Sequence, residues 1–418
     1  MYVVGDAEIE AVSRVIRAKA LFRYSTGQEC ETFERRYAKY LGTADVALAG
    51  SGTQALAAGL VGLGVGPGDE VIIPAHTYMA TALAVLSAGA IPVLVDIDDT
   101  LTIDPGAFRA AIGPFTRAVI PVHLWGTACD MNAIMRIADE HDILVLEDAC
   151  QGVGGGYRGD RMGAIGDAGA FSFNYYKNMT AGEGGAIVSR DADVMQRARC
   201  TIDPTAFYWT GRDEDFKPFS STGVRASELQ GAILNVQLDR LPGLVEAMRR
   251  ERDAVLEATA PLAELGLEPV RLNSAKDDVA AYAFFRLPTE EMTQRFIEIF
   301  PVPVAGLTGR HMYTGWDQIL TRSGAHHPGL NPYLLPDNHG LGAEYTPASF
   351  PVTLDIANRT LMVPTDPSHD DQDIADLILN IGVATKRAAG VMGDHEARIR
   401  TAGEMDFQKW DMKQAINL

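Results

Sequence analysis

The 418-residue sequence contains no apolar run approaching the roughly eighteen residues that a membrane helix needs. Its start, "MYVVGDAEIEAVSRVIRAK", lacks the basic region and apolar block of a secretion signal. Those absences predict a soluble, cytoplasmic protein without membrane contact. Cysteine is scarce: Cys30, Cys129, Cys150 and Cys200 share no short spacing, which argues against a zinc knuckle or a redox pair and predicts free thiols. Basic charge is short as well. Thirty-six Lys and Arg against 55 Asp and Glu leave a net charge of −19, the wrong sign for tracking a nucleic-acid backbone. A small phosphorylated ligand stays compatible, because helix amino termini and backbone amides hold phosphate without net basic charge. What the chain has in quantity is apolar residues, 47% against 22% charged, at a length that allows one large domain and a smaller one.

Short apolar runs alternate with longer helical patterns between residues 46 and 188. "VALA" (46–49), "VIIP" (71–74), "IPVLVD" (91–96), "AVIPVH" (118–123), "ILVLED" (143–148), "GAFSF" (169–173) and "GAIVS" (185–189) read as strands. Helices are expected from Thr53 and from near Tyr78. Strands separated by helices predict βαβ crossovers and an α/β fold with a mostly parallel sheet of these seven strands, whose ligand lies beyond the carboxyl ends. A long helical pattern runs from Ala226 to about Val255, with Pro242 expected to kink or divide it. These features place a large domain over 1–245, including the N-terminal segment, and a smaller C-terminal α/β domain over 246–418. In the latter, "AYAFFRL" (281–287) reads as a strand, "TEEMTQRFIEIF" (289–300) as a helix with only half a capping box, and "ADLILNIGVATKRAA" (375–389) as a closing helix. No internal repeat is visible.

The segment 307–350 has little periodicity but carries Arg310, His311, Tyr313, Trp316, His326, His327, Tyr333, His339 and Tyr345 among glycines and prolines. A long aromatic loop of this kind predicts a substrate-facing element. Arg310, His311, Tyr313 and His327 are candidates to contact substrate, and Trp316 or Trp209 to give a flat wall for a sugar ring. His326, His327 and His339 lack the spacing and carboxylate partner of a metal site, so no metal is expected. The tail beyond Met392 is charged and reads as a peripheral helix or an arm across a partner subunit.

Three features point to chemistry. Glu147 and Asp148 end an apolar strand and so place a carboxylate at the sheet's carboxyl edge, although a strand-end Asp also serves as a helix cap. "SGTQALAAGL" (51–60) sets Gly52 and Thr53 at a strand-to-helix turn, which alone is an ordinary helix start and in company is a phosphate cradle. In "FSFNYYKNMTAGEGGAIVS" (171–189), Ser172 ends a strand and Lys177 follows between aromatic residues and a glycine-rich turn. Burial there would lower the lysine pKa, as imine formation with a carbonyl needs. Phosphate cradle, aromatic face, strand-end carboxylate and lysine amine together match the needs of pyridoxal 5′-phosphate.

"SGTQAL", "GPGDEVIIPAHTYMATA" (66–82), "GAIPVLVDID" (89–98), "VIPVHLWGTACDM" (119–131), "VLEDACQGVGG" (145–155) and "GDAGAFSFNYYKNMTAGEGGAIVS" (166–189) resemble, in order and spacing, the DegT/DnrJ/EryC1/StrS family of sugar and cyclitol aminotransferases. The resemblance implies the fold-type I pyridoxal-phosphate architecture and a homodimer with active sites near the interface. It implies that Lys177 forms the Schiff base, Asp148 partners the pyridine nitrogen, and Gln151 neighbours the phenolic oxygen. By the same resemblance Gly52, Thr53 and Ser172 hold the phosphate and Tyr78 stacks on the ring. The implied reaction is ping-pong transamination through a Lys177 aldimine. The amino group passes from L-glutamate or L-glutamine to a keto or aldehyde group of a sugar, cyclitol or sugar-like intermediate.

Two rivals remain at this stage: a deoxysugar dehydratase of the same family, in which histidine replaces the lysine, and a non-catalytic regulatory protein that keeps the pocket. Lys177 weighs against the first, and Lys177, Asp148 and Gln151 together against the second. One departure concerns "SSTGVRASELQ" (220–230), where Gly223 stands in place of an asparagine that reaches the partner's phosphate in relatives, with Arg225 retained and Ser221 or Thr222 as possible substitutes.

Overall fold

Val46 and Leu48 of strand β1 (Asp45–Ala49) point into one apolar layer, and Ala47 and Ala49 point into another. This is the period of two that a pleated strand imposes. A computed structural model describes residues 3–211 and 213–392. The same division recurs in β2 (Glu70–Pro74), β3 (Ile91–Val95), β4 (Thr116–Val119) and β5 (Leu144–Asp148). After a small hairpin of β6 (Gly156–Tyr157) and β7 (Asp160–Arg161), it continues in β8 (Ala168–Ser172) and β9 (Gly185–Ser189). These strands form the seven-stranded sheet in the order β1-β9-β8-β5-β4-β2-β3. All run parallel except β9, which is antiparallel to both β1 and β8. The seven apolar runs of the sequence are these seven strands.

Helices cover both faces, as a sheet buried on two sides requires. On one lie α3 (Gly52–Gly62), α4 (Ala80–Ser87) and α7 (Ala192–Ile202), with Leu56, Val85 and Met195 in the shared layer. On the other lie α2 (Glu29–Leu41), α5 (Pro105–Ala111), α6 (Met131–His141) and the 32-residue α9 (Glu228–Thr259), which contribute Phe33, Phe108, Ile134 and Leu234. The N-terminal helix α1 (Asp6–Arg17) packs Ala11 and Val15 on Ala232 of α9. A single turn, α8 (Phe207–Thr210), precedes α9.

Pro242 sits inside α9 without dividing it. The boundary expected after residue 245 therefore falls within a continuous helix. Beyond it, β10 (Glu268–Pro269), β11 (Tyr282–Arg286) and β12 (Thr360–Pro364) form an antiparallel sheet. Ala283 and Phe285 of β11 face a separate core shared with α10 (Glu290–Ile299) and α13 (Asp371–Ala388), whereas Tyr282 and Phe284 join the core of the large sheet. One strand thus serves both cores, so the C-terminal part is fused to the large sheet through apolar contact. Helix α10 starts on Thr289, whose hydroxyl accepts from the Met292 amide at 3.1 Å with no reciprocal partner, the half capping box read from the sequence. Among the described residues no helix is long and apolar enough to cross a membrane.

Candidate active site

The parallel strands deliver their carboxyl ends to one edge of the sheet, and the chemically equipped residues follow those ends. After β1 come Gly52 and Thr53, after β2 His76 and Tyr78, after β4 His123 and Trp125. Asp148 closes β5 with Gln151 just beyond, and Ser172 closes β8 with Lys177 in the loop to β9.

Glu147 and Asp148 are adjacent on a strand and so face opposite ways. Glu147 is fully buried in structure: it accepts from the amides of Gly163, Ile165 and Gly166, at 2.9, 2.6 and 2.7 Å, and pairs with the His123 ring at 2.9 Å. Asp148 turns to the site. Its Oδ2 accepts from the buried Thr81 hydroxyl at 2.8 Å and its Oδ1 from the Cys150 amide at 3.1 Å. A carboxylate offers about four lone-pair positions, so capacity for a further donor remains.

Lys177 lies in a loop held by its own backbone, with Phe173 N donating to Gly184 O and Tyr175 N to Gly182 O, both at 2.9 Å. Gly182 and Gly184 take positive φ (82° and 145°), so this turn requires glycine. The residue is half-buried with its amine at the enclosed end. Burial lowers the ammonium pKa from its ordinary value, partly opposed by Cys150 and Asp148.

Gly52 opens α3 where a methyl group would lie 2.7 Å from Ser172 Cβ and 2.9 Å from Cys150 Sγ. Only glycine lets the helix start approach β8 this closely. Ser51 caps the helix by accepting from the Gln54 amide at 3.3 Å, and the amides of Gly52 and Thr53, in the first turn, have no intrahelical acceptor. The buried Ser172 hydroxyl stands beside them. This arrangement has the chemistry of a phosphate cradle. A desolvated lysine amine, a strand-end carboxylate and the cradle all lie within one cluster, and these residues fit pyridoxal 5′-phosphate.

A second group of side chains closes the site. Arg310 and His311 arrive because their segment runs alongside the turn after β2: Met79 N donates to Arg310 O and Tyr313 N to Ala75 O, both at 3.0 Å, and His76 bridges Met312. The His311 ring lies 5.4 Å from Tyr78 and 5.5 Å from Trp125, and the Arg310 guanidinium is 5.6 Å from the Tyr78 ring. Gln151 accepts from the Trp125 amide at 3.0 Å and its side-chain nitrogen is 3.2 Å from His311 Nε2.

Of the remaining sequence candidates, Trp316 and Tyr313 need correction. Trp316 is fully buried and donates from Nε1 to the Arg310 carbonyl at 3.0 Å, so it braces the segment and offers no wall to a substrate. Tyr313 is also fully buried, with its hydroxyl donating to Pro347 O at 2.7 Å and accepting from Phe350 N at 3.2 Å. His326, His327 and His339 are exposed, and His327 Nδ1 accepts from the Gly329 amide at 3.1 Å. Trp209, in α8, is exposed and stacks at 6.1 Å on Tyr24 with an edge contact to Phe22, in an aromatic patch apart from the Lys177 cluster. A cavity of about 280 Å³ lies near that patch. Among the described residues its arginines Arg23, Arg199 and Arg225 pair with Glu34, Asp45 and Asp203. Beyond it, Ser221 donates to Thr201 O at 2.7 Å, Thr222 is exposed, and Gly223 has φ 71°.

Sequence reasoning missed Thr81, His76 and Trp125. Thr81 was findable, since it sits three residues beyond Tyr78 at a helix start and so shares its face. Trp125 adopts a left-handed conformation (φ 52°, ψ 23°) that no residue pattern announces.

Comparison with known proteins agrees with this geometry. The model of the DegT/DnrJ/EryC1/StrS aminotransferase family matches residues 4–302. The chain belongs to that family. It is 40% identical over 231 residues to GDP-perosamine synthase of Caulobacter vibrioides, covering 54% of this chain and 60% of that protein, so the chain spans about three fifths of that relative's length. It is 38% identical over 286 residues to dTDP-3-amino-3,4,6-trideoxy-alpha-D-glucose transaminase of Streptomyces venezuelae, covering 67% of this chain and 71% of the relative. Among solved structures, NtdA of Bacillus subtilis with bound cofactor PMP superposes with a TM-score of 0.73 at 26% identity, covering 92% of this chain and 83% of that one. The architecture is that of the fold-type I pyridoxal-phosphate transferases.

Proposed function

We propose that this protein is a pyridoxal 5′-phosphate-dependent aminotransferase that moves an amino group from L-glutamate or L-glutamine to a keto or aldehyde carbon of a sugar, cyclitol or sugar-like biosynthetic intermediate. The observation that carries the reading is the meeting of the desolvated Lys177 amine, the Asp148 carboxylate and the Gly52–Ser172 cradle at one sheet edge. Family membership supports transamination, a relative named a glucose transaminase supports a sugar-like acceptor, and a structural neighbour with bound PMP supports the cofactor.

Each residue then has a task. The Gly52 and Thr53 amides and the Ser172 hydroxyl would hold the phosphate. Asp148, oriented by Thr81, would keep a proton on the ring nitrogen. Tyr78 would cover the ring face, and Gln151 would donate to the phenolic oxygen. When bound, the cofactor supplies an electron sink for the bond broken at the substrate carbon. Lys177 would carry it covalently at rest and, once freed by substrate, move a proton at that carbon, which its lowered pKa favours. Donor and acceptor use the same lysine in turn, so the keto acid leaves before the acceptor binds. Arg310 and His311 are the candidates to meet the substrate. The protein would work as a homodimer, with Thr222 as the hydroxyl left uncommitted near Gly223 for cross-subunit contact; the tail expected to join that contact lies outside the described residues.

The test is a visible absorption scan of the purified protein and of Lys177→Ala, each repeated with L-glutamate and then L-glutamine. The reading predicts a band of protein-linked cofactor in the wild type that is converted by one of these donors, and no donor conversion in the variant. A wild-type band that neither donor changes would overturn it.

A further inference from the structure

Gln151 is held from two sides, and the two contacts are not interchangeable. The Trp125 backbone amide can only donate, so the Gln151 atom 3.0 Å from it must be the carbonyl oxygen Oε1. That places the Gln151 amide nitrogen 3.2 Å from His311 Nε2. An amide nitrogen can only donate, so His311 Nε2 must accept and therefore carries no proton. His311 is then neutral, with its proton on the buried Nδ1, on the side of the Thr308 backbone. Burial, together with neighbouring His76, Lys177 and Arg310, pushes the His311 pKa down to about 3, in keeping with that assignment. Its ring is fixed between Tyr78 and Trp125, so it has little freedom to turn away.

We propose that His311 is a positioning residue: by accepting one N–H of Gln151 it locks the amide in a single orientation and directs the second N–H to the cofactor. The proposal rests on the reading that Lys177 carries pyridoxal phosphate beside Gln151. It gives a specific task to a residue of the 307–350 segment, most of which braces the fold. A protonated His311 would set donor against donor and release the amide, which is why a neutral ring is needed there.

The experiment is a pH titration of the visible band of cofactor-loaded protein in wild type, His311→Leu, His311→Gln, Gln151→Ala and the Gln151→Ala/His311→Leu double variant, with no substrate present. Glutamine offers a carbonyl acceptor in place of Nε2, and leucine offers none. Losing one directed hydrogen bond to an oxygen that ionises should raise the titration midpoint by about one pH unit. We expect that shift in His311→Leu, its reversal in His311→Gln, and no further shift when His311→Leu is added to Gln151→Ala. If His311→Leu does not fold, His311→Ala replaces it in the same comparison. A midpoint in His311→Leu equal to wild type, or equal shifts in the glutamine and leucine variants, would overturn the inference while leaving the cofactor reading intact. A wild type with no visible band would overturn both.

Discussion

A histidine buried away from water resists protonation, and His76 is such a residue. It is 1% exposed, with the Leu101 backbone beside it, and its ring lies edge-on to Trp125 at 5.0 Å. Burial pushes its pKa down to about 4 from 6.5. The unfolded chain takes up a proton at its ordinary value while the folded chain refuses it, so the contribution is present above about pH 6.5 and lost as pH falls towards 4. Between about pH 7 and about pH 5 the loss is about 2 kcal/mol. Urea unfolding of the cofactor-free protein should show it, and His76→Leu should flatten the decline by that amount; an equal decline in the variant would contradict the assignment. At this scale the sequence was informative wherever chemistry follows directly from a strand end. The places of Lys177, Asp148, Ser172 and Gly52 were legible because apolar runs mark where each strand stops, whereas Gln151 came from the family resemblance alone. His76 and Trp125 were not legible, since their places depend on turn geometry and on the segment around His311 and Met312, far along the chain.

The segment 307–350 shows how composition misleads at the scale of an element. Its aromatic residues predicted a substrate-facing loop, yet aromatic side chains serve a core as readily as a ligand, and Tyr313 and Trp316 serve the core. Only its beginning, Arg310 and His311, reaches the site. Its later part runs along the outer strand β3, where Tyr345 receives a hydrogen bond from the Leu94 amide at 2.9 Å. Asn338 is the fastener there: buried, it accepts from the Gly68 amide at 2.6 Å and donates to Gly89 O and Pro332 O, both at 2.8 Å. An exposed edge strand invites pairing with other chains, and this segment covers it. Asn338→Ala should cost about 2–3 kcal/mol by urea unfolding, because buried polar groups lose their partners. His327→Ala, at an exposed position, should cost less than about 0.5 kcal/mol. Similar effects for the two would refute the fastening role.

Across the whole molecule, the alternation of side chains between two layers made the seven-stranded sheet readable strand by strand. The strand order and the reversal of β9 were not readable, because neither leaves a mark on local periodicity. The join between the two cores was also hidden: a strand that serves both looks, in sequence, like any other strand. The resulting architecture gathers strand ends from across the chain around one lysine. The claim that Lys177 is the covalent handle is tested most directly by borohydride reduction of the cofactor-loaded protein, followed by proteolysis and mass measurement of the peptides. The account predicts a single pyridoxyl-phosphate adduct on the peptide containing Lys177. An adduct on a different lysine, with Lys177 unmodified, would contradict it.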